Sequence, residues 1–321
     1  MSTPNPTSAD RPAARYTPGT APRPLVFGTR GSPLALQQTT GVQEAYAAAH
    51  AGVQATLRVI ETRGDRDLTT PLPEIGGKGL FTAELEAAMR AGEIDAAVHS
   101  LKDLPVEDAP GIVVAAICRR ADPRDVLVSR YGSIAALPAG GRVGTSSRRR
   151  AAQLLAIRPD LVIVPVRGNV ATRLRAADGN LDGVVLAAAG LDRLGIEPGT
   201  AARLDPSEML PAPGQGAVAV QCRADDRAAI EALRALDDAA TRAAVTAERT
   251  FLHALGGGCS SAVGALAEPI AGTGLVRMTA LVASLDGREV LRLEGSDTDP
   301  KALGERLATR ALARGAAQLL G

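Results

Sequence analysis

The class of fold is decided by the stretch Leu25-Val26-Phe27-Gly28-Thr29-Arg30-Gly31-Ser32-Pro33. Its first five residues form an apolar run typical of a buried strand, and a helical pattern follows through about residue 50. Ser32 and Pro33 suit the N-cap and the first position of that helix. The stretch therefore predicts a strand–turn–helix unit, which is the repeating unit of an α/β protein.

Strand and helix patterns keep alternating after this unit. Strand-like runs lie at residues 56–61, 96–99 and 112–118, with a helix at about 81–91, and a second alternation runs from 126 to 186. Such alternation predicts two α/β units built on parallel sheets. The run 217–221 is expected to return to the first unit, and a helix, three strands and a closing helix after residue 239 predict a small α+β domain. The predicted division is a disordered N-terminal extension at 1–24, domain 1 at 25–118 and 217–236, domain 2 at 119–216, and domain 3 at 237–321.

The composition limits the kind of partner. A chain of 321 residues is longer than one core usually spans, so a cleft between domains is expected. Aromatic residues make up only 2% and Trp is absent, which disfavours stacking on single-stranded nucleic acid. With 36 Lys+Arg against 35 Asp+Glu, a basic site must be a local cluster. We therefore expect a small polyanion as ligand and no nucleic-acid partner.

Cysteine and histidine placement predicts neither a disulfide framework nor a metal site. Cys118, Cys222 and Cys259 lie far apart, and the three histidines are scattered. Cys118 and Cys222 lie in apolar runs, where packing is the expected role. The first 24 residues lack the apolar core of a secretory signal, and no run approaches the ~18 apolar residues of a membrane span. A cytoplasmic protein without a membrane partner is expected.

Arginines and hydroxyls cluster at three predicted strand-to-helix turns. Arg30-Gly31-Ser32 opens the first helix, Thr145-Ser146-Ser147-Arg148-Arg149-Arg150 opens a helix of the second unit, and Arg167 and Arg173 flank a third turn. Cations at a helix N-terminus oppose the helix dipole, so several of them facing one cleft favour a ligand with many carboxylates. The alternative for Arg30 is that it caps a nearby backbone carbonyl. The alternative for the arginines at 148–150 is that they form a solvent-exposed helix face.

Two further segments are candidates for chemistry. Lys102 and Asp103 follow the predicted strand 96–99, at the sheet edge where open α/β folds bind ligands. An ionised Asp103 would accept a hydrogen bond from an N–H group and stabilise a developing cation, whereas a local ion pair is the alternative. A Gly-rich segment without Walker spacing is interpreted as a mobile lid or as an ordinary connection. The candidate lid residues are Gly76, Gly77, Lys78, Gly79 and Phe81.

Cys259 follows three glycines, Gly256, Gly257 and Gly258. Glycines leave the backbone uncrowded and permit positive φ, so a thiol here is accessible to a bulky group or able to carry one covalently. A small buried cysteine after a helix end is the alternative.

In this order, the motifs resemble those of the porphobilinogen deaminase (hydroxymethylbilane synthase) family over about residues 25–321. The segments that carry the resemblance are residues 28–36, 76–81, 99–105, 122–125, 144–147, 167–170, 213–217 and 257–259. The resemblance implies two lobes like type II periplasmic binding proteins plus a small α+β C-terminal domain. It also implies a monomer with a dipyrromethane cofactor joined to Cys259 through a thioether.

The implied reaction is the stepwise head-to-tail condensation of four porphobilinogen molecules into hydroxymethylbilane, with release of ammonia, in tetrapyrrole synthesis. Asp103 would face the pyrrole N–H groups and the cation formed when ammonia leaves. Arg148 stands where the family often has an apolar residue and is left out of the site. The residues that match cofactor-binding and substrate-binding positions are Arg30, Ser32, Lys102, Thr145, Ser147, Arg149, Arg150, Arg167 and Arg173.

The runner-up hypothesis is a non-catalytic solute-binding protein for a multi-carboxylate ligand, since two α/β lobes with an arginine-lined cleft would bind such a ligand without reacting. It leaves both Asp103 and the Gly-flanked Cys259 without a purpose. A redox thiol protein built on Cys259 would need a resolving cysteine nearby, and the sequence has none.

Overall fold

The computed structural model describes residues 23–62, 64, 82–177, 179–258 and 261–320. Two five-stranded mixed sheets and one three-stranded antiparallel sheet organise this part of the chain. Within it, no helix is both long and apolar enough to cross a bilayer.

The first lobe is built on five strands, β1 to β4 and β10. The bounds are β1 Leu25–Thr29, α1 Pro33–Ala49, β2 Ala55–Val59, α2 Ala83–Arg90, β3 Ala96–Ser100, β4 Ile112–Ile117 and, much later in the chain, β10 Val218–Arg223 and α6 Arg227–Leu233. The strand order is β2-β1-β3-β10-β4, in which β10 is antiparallel to both neighbours. The chain thus returns to the first sheet, as the run 217–221 predicted.

The second lobe repeats this order. Its bounds are β5 Asp125–Val128, β6 Arg142–Gly144, α3 Arg148–Ile157, β7 Val162–Val164, α4 Val170–Ala177, β8 Gly183–Ala187, α5 Ala188–Arg193 and β9 Ala201–Arg203. The order is β7-β6-β8-β5-β9, again with three parallel strands followed by an antiparallel one, β5. Each lobe therefore receives its antiparallel strand directly from a crossover, which is the topology of type II periplasmic binding proteins.

A small α+β unit completes the fold. It consists of α7 Ala239–Ala254, the meander β11 Val263–Pro269, β12 Val276–Ala283 and β13 Val290–Asp297, then α8 Pro300–Ala313 and α9 Ala316–Leu320. Phe251 on α7 and Leu303 and Leu307 on α8 pack on one face of the sheet around Met278. The backbone of β11 also bonds the second crossover, since Ala265 N donates to Pro211 O at 2.9 Å.

Arg23, which lies ahead of β1 and within the predicted N-terminal extension, makes two ion pairs. Its guanidinium pairs with Asp95 at 2.9 Å and with Asp226 at 2.7 Å, so it joins the start of the first lobe to the turn before α6. Residues 1–22 of the predicted extension lie outside the described residues.

Candidate active site

The first-lobe half of the site lies where β1 and β3 end. Arg30 follows β1, and Ser32 caps α1, its Oγ accepting from Ala35 N at 3.3 Å. A single 3₁₀ turn, Leu101–Asp103, follows β3. Because β1 and β3 are adjacent and parallel, their carboxyl ends meet at one edge. Arg30, Ser32 and Asp103 accordingly line one cavity, and Asp103 is exposed.

The wall of this cavity contains two buried polar side chains, His99 and Thr82. His99 Nε2 and Thr82 Oγ1 have no hydrogen-bond partner among the described residues. Burial and, to a smaller extent, the charge of Arg30 lower the pKa of His99 to about 4, so the imidazole is neutral at pH 7. Unpaired polar atoms of this kind favour a polar ligand in the cavity. Sequence reasoning considered His99 only as a scattered histidine.

Lys102 points toward the crossover between the lobes. Its Nζ donates to Gln215 Oε1 at 3.2 Å. Burial lowers the pKa of Lys102 to about 8, against the attraction of Asp103. Gln215 Nε2 in turn donates to Pro123 O at 2.7 Å and to Asp125 Oδ1 at 2.9 Å. Gln215, which sequence reasoning did not assign to the site, therefore links Lys102 of the first lobe to Asp125 of the second.

The second-lobe half repeats the strand–cap–helix arrangement after β6. Thr145 is buried, and its Oγ1 accepts from Ser147 N at 3.1 Å. Ser147 caps α3, its Oγ accepting from Arg150 N at 3.4 Å. Both predicted hydroxyl residues therefore lie at the start of this helix, where Ser147 corresponds to Ser32 and Thr145 to Arg30.

Arg149 and Arg150 lie in the first turn of α3, but both side chains are buried against Asp125. Arg149 Nη1 contacts Asp125 Oδ2 at 2.7 Å, and Arg150 Nη2 contacts Oδ1 at 2.7 Å. Arg150 Nη1 also donates to Val185 O at 2.9 Å. Burial alone would raise the pKa of Asp125, but the two guanidinium groups hold it well below its ordinary value. The anionic partner that these arginines need is thus part of the protein, and sequence reasoning missed it.

Arg173, after the third strand-to-helix turn, interacts electrostatically with charged residues of both lobes. Its Nε donates to Gly168 O at 2.9 Å. Burial lowers the pKa of Arg173, the charges of Arg150 and Arg167 lower it further, and Asp103 opposes them. A residue of the second lobe therefore interacts electrostatically with the carboxylate of the first. The two lobes face one cleft, in which the cationic groups outnumber the carboxylates.

The crossovers between the lobes are bound to α7 by Glu248. Arg120 donates to both of its carboxylate oxygens, at 2.6 and 3.1 Å. Glu248 also accepts from Gly214 N at 2.7 Å and from Ala267 N at 2.8 Å. The Glu248 side chain is fully buried. One carboxylate thus joins both crossovers and β11, which makes α7 the common support of the two lobes.

Family models identify the group to which this architecture belongs. The model "Porphobilinogen deaminase, dipyromethane cofactor binding domain" matches residues 25–231, and "Porphobilinogen deaminase, C-terminal domain" matches 242–313. The chain belongs to the porphobilinogen deaminase family. Porphobilinogen deaminase of Roseiflexus sp. (strain RS-1) is 51% identical over 299 residues, which cover 92% of this chain and 98% of that protein. Porphobilinogen deaminase of Xanthomonas euvesicatoria pv. vesicatoria (strain 85-10) is 52% identical over 300 residues, with the same two coverages.

The cofactor of the porphobilinogen deaminase family is dipyrromethane, and the cleft fits it. Each pyrrole of this group carries two carboxylate arms. Among the described residues, the charges that act most strongly on Lys102 and Arg173 are those of Arg149, Arg150 and Arg167 and of the carboxylates Asp103 and Asp125. Such a surplus of desolvated cations is stabilised by an anionic ligand.

The predicted attachment residue and lid lie outside the described residues. Cys259 is preceded by α7, and Gly256, with φ 66°, ends that helix in the left-handed conformation that glycine favours. Gly258 N donates to Ser261 Oγ at 3.1 Å, which closes the described flanks of the loop. The candidate lid residues outside the described part are Gly76, Gly77, Lys78, Gly79 and Phe81.

The other two cysteines, Cys118 and Cys222, lie within the described part of the chain. Cys222 is fully buried in β10, and Cys118 is half-buried after β4. Burial raises the pKa of Cys118 to about 11 and that of Cys222 to about 12. Neither thiol is activated as a nucleophile at neutral pH.

Proposed function

We propose that this protein is a hydroxymethylbilane synthase. It condenses four porphobilinogen molecules head-to-tail into hydroxymethylbilane and releases one ammonia at each addition. The observation that carries the proposal is the exposed Asp103 carboxylate at the edge of a cleft to which both lobes contribute cations. Membership of the porphobilinogen deaminase family supports the same reaction.

The cations and hydroxyls of the cleft are proposed to bind the acetate and propionate arms of the pyrroles. Arg30 and Ser32 would serve from the first lobe, and Thr145, Ser147 and Arg173 from the second. Arginine offers two parallel donors to a carboxylate, which fixes the plane of each arm as well as its position. Lys102 and Arg167 would add positive charge to this set. Arg149 and Arg150, which are buried against Asp125, would add positive potential without contacting the ligand directly.

Asp103 is proposed as the catalytic residue. Its carboxylate would accept a hydrogen bond from a pyrrole N–H and stabilise the positive charge that develops on the substrate as the C–N bond to ammonia breaks. Dipyrromethane, bound through the Cys259 sulfur, supplies the free pyrrole carbon at which chain growth begins. The neutral His99 adds no competing positive charge beside Asp103.

Several finer features stay part of the proposal. We propose that the protein acts as a cytoplasmic monomer without a nucleic-acid partner, and that residues 76–81 form a lid. We also propose that the domains defined by the predicted boundaries move relative to one another as the product lengthens. A solute-binding protein would explain the cations but not Asp103, and family membership does not favour it.

The test is the intact-protein mass of the wild type, Cys259→Ser and the matched control Cys118→Ser. We expect an added mass of two linked pyrrole units on the wild type and on Cys118→Ser, and none on Cys259→Ser. A wild type that stays unmodified after incubation with porphobilinogen would favour the solute-binding hypothesis. An adduct that persists on Cys259→Ser would move the attachment to another residue.

A further inference from the structure

The turn that carries Lys102 and Asp103 is held from the third domain by Arg249. This arginine lies on α7, and Nη1 donates to Leu101 O at 3.3 Å and to Leu104 O at 3.2 Å. Nη2 donates to Pro105 O at 2.6 Å and to Val106 O at 3.3 Å. One partly buried guanidinium therefore contacts four carbonyls of a single loop.

Among the described residues, the backbone of this loop is otherwise held at its start, where Leu101 N donates to Ala217 O, just before β10, at 3.0 Å. It contains one 3₁₀ turn, closed by Leu104 N donating to Leu101 O at 3.2 Å, and Pro105 then has no N–H to continue the pattern. The carbonyls at the end of such a turn need outside donors, and a cation there also complements the turn dipole. Arg249 supplies both the donors and the charge.

The loop also lies close to Gly214 of the second crossover. A Cβ at Gly214 would lie 3.1 Å from Leu101 Cγ and 3.4 Å from Lys102 N, and the φ of 76° at Gly214 also favours glycine. Gly214 N donates to Glu248, the residue that precedes Arg249 on α7. Two consecutive residues of α7 thus support this turn, one directly and one through Gly214.

We infer that Arg249 is a positioning residue for the condensation. By fixing the carbonyls of residues 101–106 from the third domain, it holds the Asp103 carboxylate where charge develops on the substrate. The inference rests on the proposed function for its kinetic consequence. The contact that it concerns, between α7 and the turn, is a property of the protein alone.

Arg249→Gln, Arg249→Lys and the control Arg242→Gln test the inference in the full chain. Arg242 also joins α7 to the first lobe, through Asp237 at 2.7 Å and Ala115 O at 3.2 Å, but it does not touch the catalytic turn. The measurements are kcat and KM for porphobilinogen, the intact mass, the denaturation midpoint, and hydrogen exchange at the Leu101 and Leu104 amides.

We expect Arg249→Gln to keep the added mass and to lower kcat roughly 10-fold to 100-fold, because a misplacement of ~1 Å can cost about 100-fold in rate. KM should stay within about twofold, and exchange at Leu101 and Leu104 should become roughly tenfold faster. Arg249→Lys should recover part of kcat, since it keeps the charge but not the fork. Arg242→Gln should leave kcat and the exchange at these two amides unchanged.

The inference is overturned if Arg249→Gln leaves exchange at Leu101 and Leu104 unchanged, whatever the activity. It is also overturned if Arg249→Gln and Arg242→Gln lose kcat equally and in step with the denaturation midpoint. A wild type that carries its adduct but does not consume porphobilinogen would instead refute the proposed function. The exchange comparison would then still decide whether Arg249 holds the turn.

Discussion

The two lobes use the same strand order and the same serine cap, yet they place charge differently. Ser32 and Ser147 both cap the helix that follows the central parallel strand of their sheet. In the second lobe, Arg149 and Arg150 in the first turn are both paired with the buried Asp125, which compensates part of their charge. In the first lobe, the carboxylate of Asp103 is exposed at the cleft.

The difference separates two tasks. Arginines in the first turn of a helix oppose its dipole, and a buried carboxylate of the protein itself stabilises their positive charge there. The exposed carboxylate of the first lobe would, in the proposed mechanism, stay available to a cation that exists only during the reaction. The comparison therefore predicts that removing the carboxylate of Asp125 lowers the stability of the protein, whereas removing that of Asp103 lowers turnover.

The largest effect is expected from Asp125→Asn. Removing one partner of a buried ion pair leaves two guanidinium groups uncompensated, at a cost of about 3–5 kcal/mol in the free energy of unfolding. Urea denaturation at pH 7 measures this loss of stability. The control is Asp160→Asn, which removes the more exposed ion pair with Arg158 and should cause no comparable loss. Equal midpoints for the two variants would show that Asp125 is not a structural anchor.

Asp103→Asn should have the opposite profile. We expect the cofactor mass and the denaturation midpoint of the wild type, with turnover of porphobilinogen lowered about 10²-fold to 10³-fold through lost cation stabilisation. Intact mass and the rate of ammonia release measure the two properties separately. Turnover near that of the wild type would remove Asp103 from the mechanism.

Lys102, which bridges the two lobes, should make stability depend on pH. Its folded pKa is about 8 against an ordinary value of 10.5. Between these values the unfolded chain binds more protons, so stability rises with pH. From pH 8 to 10.5, the free energy of unfolding of the wild type should increase, relative to that of Lys102→Met, by a few kcal/mol at most. The exposed Lys301→Met is the control and should follow the wild type; an identical pH profile for Lys102→Met would contradict the assignment.

The smallest effect is expected at the two caps. Ser32→Ala and Ser147→Ala should each cost about 1 kcal/mol in the free energy of unfolding, because each removes the side-chain acceptor for a helix amide. Ser296→Ala, at an exposed strand position away from both caps, should stay within about 0.5 kcal/mol. A cost confined to one lobe would show that the caps are not equivalent.

The strands could be predicted because each is a short apolar run bounded by Gly, Pro or polar residues. β1 has the predicted bounds, and β3 and β4 differ by one residue. The three-residue β9 and the helix α5 were not predicted. β9 contains no β-branched or aromatic residue that would mark it as a strand, and it is defined by pairing with β5.

The partners of the site residues could not be predicted in the same way. The sequence shows that Arg149 and Arg150 open a helix, but Asp125 lies 24 residues before Arg149 and Gln215 lies 113 residues after Lys102. No local pattern links positions so far apart. Their contact depends on how β5 and the crossovers pack.

The sequence by itself determined the α/β units, the helix caps, the cation clusters and Asp103, because periodicity, capping chemistry and motif order are local properties of the chain. Only the tertiary structure decided which cations are neutralised internally and which face the cleft. It also decided that Glu248 and Arg249 of α7 support the crossovers and the catalytic turn. These outcomes depend on burial and on distances between remote segments, and both arise only when the lobes and the third domain pack together.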